Sequence, residues 1–192
     1  TIQLSSYLPE NGVAEHHAII RLEDKFLDVE TQYKNIELAV ERLEKSEWIN
    51  NASLVLKRYF VSDAVNQADF LQKNGGGEAI SIVQQPPLNG TKVAMWVYFV
   101  AESKVYLDEK GTTILERPHL KHLYNMQLQN ALKNEYTETE YIFDAYTNSL
   151  KQHNCTLKDN CIRTWIYVQG VDIHYADMVE ARTACFDKED LT

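Results

Sequence analysis

Two stretches of this sequence share one pattern, and that repetition constrains the fold more than any other feature. In CIRTWIYVQGVDIHYADMVEARTACF, Cys161 to Phe186, every residue from Ile162 to Val168 except Arg163 is β-branched or aromatic. Such side chains suit a pleated, half-buried surface, so a strand is predicted there. Gly170 interrupts it, and Tyr175, Met178, Val179 and Arg182 recur at helical spacing, which predicts a helix. The earlier stretch SLVLKRYFVSDAVNQADFLQK, Ser53 to Lys73, has the same form, with a strand from Leu54 to Val61 and a helix from about Asn66 to Lys73. Placing Val61 on Val168 sets Leu43 on Leu150, an offset of about 107 residues. One inserted residue later, Ala68-Asp69-Phe70 falls on Ala176-Asp177-Met178. The order helix, polar loop, strand, loop, helix therefore occurs twice, as in a tandem of related modules.

The remaining segments fit around these units. His16 to Leu22 reads as a strand after the turn Pro9 to Gly12, and it is expected to open the first sheet. From Val29 to Lys45, the residues Tyr33, Ile36, Val40 and Leu43 form one apolar stripe, with Asp28 placed as N-cap and Glu41 and Lys45 four apart. Gly75 to Gly77 break the chain after the second helix. Their order, helix then glycines, is the reverse of a phosphate-binding fingerprint. Ala79 to Val100 holds two apolar runs around PPLNG, whose Asn89-Gly90 predicts a hairpin. A further turn is expected at Glu109-Lys110-Gly111. Leu120 to Leu128 reads as a strand with Leu120, His122 and Tyr124 on one face, with a helix as the alternative. Thr137 to Gln152 is helical, with Thr137 and Glu140 as a capping box and Tyr141, Ala145 and Leu150 toward the core.

Composition removes several functions. The 192 residues are 44% hydrophobic and 24% charged, with a formal charge of −9, which excludes a protein built to grip phosphate backbones. No apolar run approaches the roughly 20 residues of a membrane span, and the N-terminus lacks the features of a signal peptide. Cys155, Cys161 and Cys185 form no CxxC pair and no even set, so a reducing cytoplasm is expected, with Cys161 and Cys185 as small core residues. His16 and His17 are adjacent and face opposite ways if extended, and neither His119 and His122 nor His174 belongs to a ligand pattern. No GxSxG is present. No metal or cofactor is expected. The chain begins without Met and reads as a trimmed piece.

The predicted order strand, strand, helix, strand, helix, strand, strand, with Gln32 opening the first long helix, resembles the YjgF/Rid family, which includes proteins labelled endoribonuclease L-PSP. The segment IRTWIYVQGVDIHYADMVEARTACF is also similar to the chorismatases, tandem proteins of two Rid-like halves. The resemblance implies an α+β fold in which a mixed sheet carries two helices on one face, assembled as a trimer or, in tandem, a pseudo-trimer. Ligands would lie in clefts between modules. It divides the chain into a first module, residues 1–108, and a second, 109–192, that lacks its closing strands. Those strands are expected from a continuation of the chain or from another chain, since an uncovered sheet edge is a liability.

The same resemblance implies hydrolysis of enamines or imines, or chorismatase-type hydrolysis, on a small carboxylated metabolite. The family's deaminases grip that carboxylate with an arginine just before the hairpin. Counting back from Lys92-Val93 puts it near Ala79, and GGGEAISIV contains no arginine, so the first module is expected to be inactive as a deaminase. A non-catalytic module that binds a metabolite or assembles with partners is the alternative. Arg163, Trp165 and Tyr167 alternate along the predicted strand and share a face, and Tyr124 is their expected neighbour. An arginine beside aromatic rings suits a carboxylated ring compound, although packing alone also explains such a face. The expected partners are a small carboxylate and further copies of the chain, without membrane or nucleic acid.

Overall fold

Val93, Met95, Val97 and Phe99 alternate with Ala94, Trp96 and Tyr98, and this period of two places their strand at the centre of a sheet buried on one face. The computed structural model describes residues 1–49, 51–72, 76–128 and 134–191. It divides into two units, Thr1–Gln127 and Leu128–Thr192. The boundary lies beyond the expected 108/109 junction.

In the first unit, β1 (Ile2–Tyr7), β2 (Glu15–Arg21), β3 (Ala52–Val61), β4 (Ala79–Gln84) and β5 (Val93–Ala101) form one sheet in the order β1-β2-β5-β3-β4. Only β3 and β4 pair in parallel, so the sheet is mixed. The fold is α+β. The strand β1 has no counterpart in the sequence reading. Most of its residues are exposed and polar ones interrupt it, so it carries little hydrophobic signal.

The helix α1 (Val29–Glu44) forms because Asp28 accepts a hydrogen bond from the Thr31 amide at 2.8 Å and Tyr33, Ile36, Val40 and Leu43 recur on one side. Those four pack on Ala18, Ile20, Tyr59, Val61, Met95 and Val97. Each such burial contributes about 1.5–3 kcal/mol. Gln32 is fully buried. Its side chain donates to Leu27 O and accepts from the Lys92 amide, both at 2.7 Å, which ties the helix start to the entry of β5. In α2 (Ala64–Gln72), Leu71 joins the same core and the Phe70 ring lies 5.8 Å from that of Tyr33, so both helices cover one face. The expected end of this helix at Lys73 and the first of its following glycines, Gly75, lie outside the described residues.

The hairpin expected across Ala79 to Val100 is corrected. Its strands exist as β4 and β5, but they lie on opposite sides of β3. The long, buried β3 offers two edges, and the crossover through α2 delivers β4 parallel to one while β5 takes the other. PPLNG still turns the chain, with Gly90 at φ 82° and its amide bonded to Pro87 O at 3.0 Å.

A second sheet of β6 (Lys104–Leu107), β7 (Thr113–Arg117) and β8 (Leu120–Tyr124) belongs to the same unit. Leu115, Val105 and Tyr124 cover Val55, Tyr98 and Val100 on the sheet face opposite the helices, which is why this unit extends past residue 108. The turn at Glu109-Lys110-Gly111 is present, with Gly111 at φ 82°.

The second unit contains α3 (Glu135–Gln152), the single turn α4 (Leu157–Asn160) and α5 (Val171–Lys188). Asn134, not Thr137, caps α3: its Oδ1 accepts from the Thr137 amide at 2.9 Å and from the Thr137 hydroxyl at 2.6 Å. Asn134, three residues earlier, takes the cap and satisfies the Thr137 amide, so the helix starts at Glu135. Thr139, Phe143, Thr147 and Leu150 are buried, whereas Tyr141 is exposed, contrary to the expected stripe. The Phe143 and Phe186 rings meet edge to face at 5.6 Å and fasten α3 to α5.

The strand predicted from Ile162 to Val168 is also corrected. Residues 161–168 have no regular secondary structure and belong to neither sheet. β-propensity takes effect only where a neighbouring strand satisfies the backbone. In the first unit both neighbours of β3 follow α2 in the chain, and the second unit's described residues contain no strand.

The spacing of the two units is nevertheless consistent. Thr139, Phe143, Thr147 and Leu150 each lie 107 residues after Gln32, Ile36, Val40 and Leu43, four of the five buried residues of α1, whereas the fifth, Tyr33, corresponds to the exposed Glu140. The first residues of α2 and α5, Ala64 and Val171, are 107 apart as well.

Candidate functional site

Strand alternation and register decide what stands on the sheet face turned away from α1 and α2. From β2 come Glu15, His17, Ile19 and Arg21, from β5 Ala94, Trp96 and Tyr98, from β3 Arg58 and Phe60, and from β4 Ser81. His17 lies opposite Tyr98, with ring centroids 4.5 Å apart, and stacks at 5.7 Å on Trp96. The Trp96 indole N–H donates to His17 Nδ1 at 3.2 Å, which fixes the tautomer with hydrogen on Nε2. Tyr98 donates to Glu15 Oε2 at 2.7 Å. Burial lowers the pKa of His17 against the pull of Glu15, and burial and that hydrogen bond raise Tyr98. Arg58, almost wholly buried, donates from Nε to Ser81 Oγ at 3.0 Å and holds its guanidinium 5.0 Å from the Trp96 ring.

One row further along, the pattern opens. Ala94 lies opposite both Arg21 and Phe60 and is the smallest side chain on this face of β5. The loop Gln85 to Asn89, with Pro86, Pro87 and Leu88, walls the gap, leaving a cleft of about 550 Å3 lined also by Thr1, Leu22 and Glu23, whose carboxylate is engaged by the Thr1 hydroxyl and ammonium. That size suits a small ligand. The Arg21 side chain is exposed and makes no hydrogen bond or ion pair with another described residue. An unspent guanidinium fork on an apolar cleft can take a planar carboxylate through two parallel hydrogen bonds.

A second cleft of about 390 Å3 lies at the start of β4, lined by Gly77, Glu78, Ala79, Leu107, Thr113 and Tyr124. The resemblance implies an arginine in this region, near Ala79. The region carries Glu78 instead, whose Oε1 lies 2.9 Å from the buried Lys57 Nζ. Lys57 also bonds Glu37 Oε2 at 2.9 Å, and Tyr59 donates to Glu37 Oε1 at 2.7 Å. Burial alone would lower the Lys57 pKa, but the bonds to Glu37 and Glu78 reverse this and raise it. The single positive charge of Lys57 is shared between Glu37 and Glu78, so it offsets one of their two negative charges.

Of the four residues named from sequence, Tyr124 lies on β8 in this second cleft, with its hydroxyl pushed up to about 12 by burial. Arg163 and Trp165 do come together, the guanidinium 5.5 Å from the ring, and Tyr167 is exposed. These three belong to the second unit and Tyr124 to the first. The sequence reading missed His17, Arg21, Arg58, Phe60, Ala94, Trp96 and Tyr98. Alternation in AMWVYFV could have grouped Ala94, Trp96 and Tyr98, but their partners depend on the strand order. Among the described residues no His, Cys, Asp and Glu cluster could hold a metal ion, and no helix is long and apolar enough to cross a membrane.

No protein-family model, curated protein or solved structure matches the chain.

Proposed function

We propose that the first unit is a Rid-like module that binds a small carboxylated metabolite with an apolar or aromatic body, and that the chain is a tandem of two such modules. The observation that carries the binding reading is Arg21, without a side-chain partner among the described residues, on the rim of the apolar cleft floored by Ala94. Phe60, Pro86, Pro87 and Leu88 would cover the body of the ligand, and Arg21 would hold its carboxylate. The mixed sheet with two helices on one face supports the Rid-like part, and the 107-residue spacing of buried helix positions supports the tandem. The lack of an arginine in GGGEAISIV, near the Ala79 position where the resemblance puts that of the family's deaminases, favours binding over imine hydrolysis.

Calorimetric titration with benzoate, chorismate and benzamide tests this reading. Both carboxylates bind, and benzamide, which has the shape of benzoate without its charge, binds at least about tenfold more weakly, equivalent to about 1.4 kcal/mol. Absence of binding by either carboxylate overturns the proposal. Turnover of 2-iminobutyrate would overturn the preference for binding over hydrolysis.

A further inference from the structure

Three Asn-Gly pairs occur in the chain, Asn11-Gly12, Asn74-Gly75 and Asn89-Gly90, of which the second lies outside the described residues. Asparagine before glycine loses its side-chain amide readily, because glycine has no Cβ to keep its backbone nitrogen from the asparagine Cγ. Asn11 and Asn89 are both exposed, in the turns β1–β2 and β4–β5, so access of water does not distinguish them. Their hydrogen bonds do. Asn89 Nδ2 donates to Leu22 O at 2.7 Å, and its Oδ1 accepts from the Thr91 hydroxyl at 2.8 Å and the Thr91 amide at 3.3 Å. The Gly90 amide donates to Pro87 O at 3.0 Å. Asn11 and Gly12, by contrast, make no hydrogen bond with another described residue. Glycine is also fixed at position 12, since a Cβ there would stand 2.9 Å from Pro9 Cγ.

We infer that Asn11 is a site of spontaneous deamidation in the folded protein and that the fold shields Asn89 from the same reaction. The Gly12 nitrogen gives its proton to solvent base and bonds to Asn11 Cγ, the Cγ–Nδ2 bond breaks, and the side-chain nitrogen leaves as ammonia. Water then opens the resulting succinimide at either carbonyl. One water is consumed and one ammonia released, and residue 11 becomes aspartate or, where the main chain comes to run through the side-chain carbons, isoaspartate. Either product adds a negative charge next to Glu10. Isoaspartate also lengthens by one atom the main chain that joins the paired Tyr7 and Glu15. At Asn89 the same ring closure must first release the bonds to Leu22, Thr91 and Pro87, and each opposes it. The inference is independent of ligand binding by the first unit.

Peptide mapping by mass spectrometry tests the inference on the whole chain, incubated at mildly alkaline pH in oxygen-18 water with and without urea. In the folded chain, labelled aspartate and isoaspartate accumulate at residue 11 at least about tenfold faster than at residue 89, whose hydrogen bonds must break first. In urea that unfolds the first unit the two rates converge, because the bonds that hold Asn89 are gone. A smaller difference between the two positions in the folded chain overturns the inference. So does a difference that urea leaves unchanged, which would mean that the neighbouring sequence and not the fold sets the rates.

Discussion

Trp96 donates its indole N–H to His17 Nδ1 across the β2–β5 pair, so the imidazole is held neutral between two aromatic rings. The pKa of His17 lies below 6.5, chiefly through burial, and burial lowers His16 and His122 in the same direction. For each, the unfolded chain binds its proton first as the pH falls. Their contribution is thus present above pH 6.5 and is lost below it, toward the folded-state pKa. Thermal melts should show a falling transition between pH 7 and 5.5, with each kcal/mol lost costing about 3 °C. His17→Phe, which keeps the stacking but cannot titrate, should reduce that slope. A transition that rises as the pH falls would contradict the assignment.

Lys57 is buried between Glu37 and Glu78, and breaking such an arrangement leaves carboxylates without their cation. Lys57→Met should destabilise the first unit by about 3 kcal/mol, read from the urea midpoint. Adding Glu37→Gln and Glu78→Gln to that variant should recover part of the loss, because neutral amides are less costly to bury.

Asp28 and Asn134 each cap a helix by accepting the amide of the residue three positions on. Asp28→Ala and Asn134→Ala should each lower stability by about 1 kcal/mol in urea unfolding, whereas serine at either position should retain most of it. Loss of only a few tenths with alanine would mean that neither cap matters to its helix start.

The sequence made α1 legible to its N-cap because local chemistry decides that helix: one stripe, one Asp and one Thr. It also made the 107-residue spacing legible, since helix periodicity survives without sequence identity. The pairing of β4 and β5 was not legible. Asn89-Gly90 signals a turn correctly, yet a turn does not state whether the strands it joins are neighbours, and here β3 lies between them. For the same reason the site residues were read only in part. Arg163 and Trp165 are two residues apart in one segment and meet although no strand forms there, whereas Arg21, Ala94 and Phe60 come from three strands aligned by register. The 161–168 segment has the composition of a strand but no strand beside it within its unit, and composition cannot supply that neighbour.

Filling the cleft should separate its role from that of the fold. Ala94→Phe projects a ring into the gap between Arg21 and Phe60, and it should weaken benzoate binding at least about tenfold, about 1.4 kcal/mol, with little change in the melting temperature.

The central claim is that Arg21 anchors a carboxylate over Ala94, and amide chemical-shift mapping during a benzoate titration tests it most directly. The account predicts saturable shifts at Arg21, Phe60, Ala94 and Leu88, lost in Arg21→Gln and retained in Arg163→Gln. Shifts confined to the second cleft around Gly77, Ala79 and Tyr124, or an Arg21→Gln chain that binds as tightly as the wild type, would contradict it.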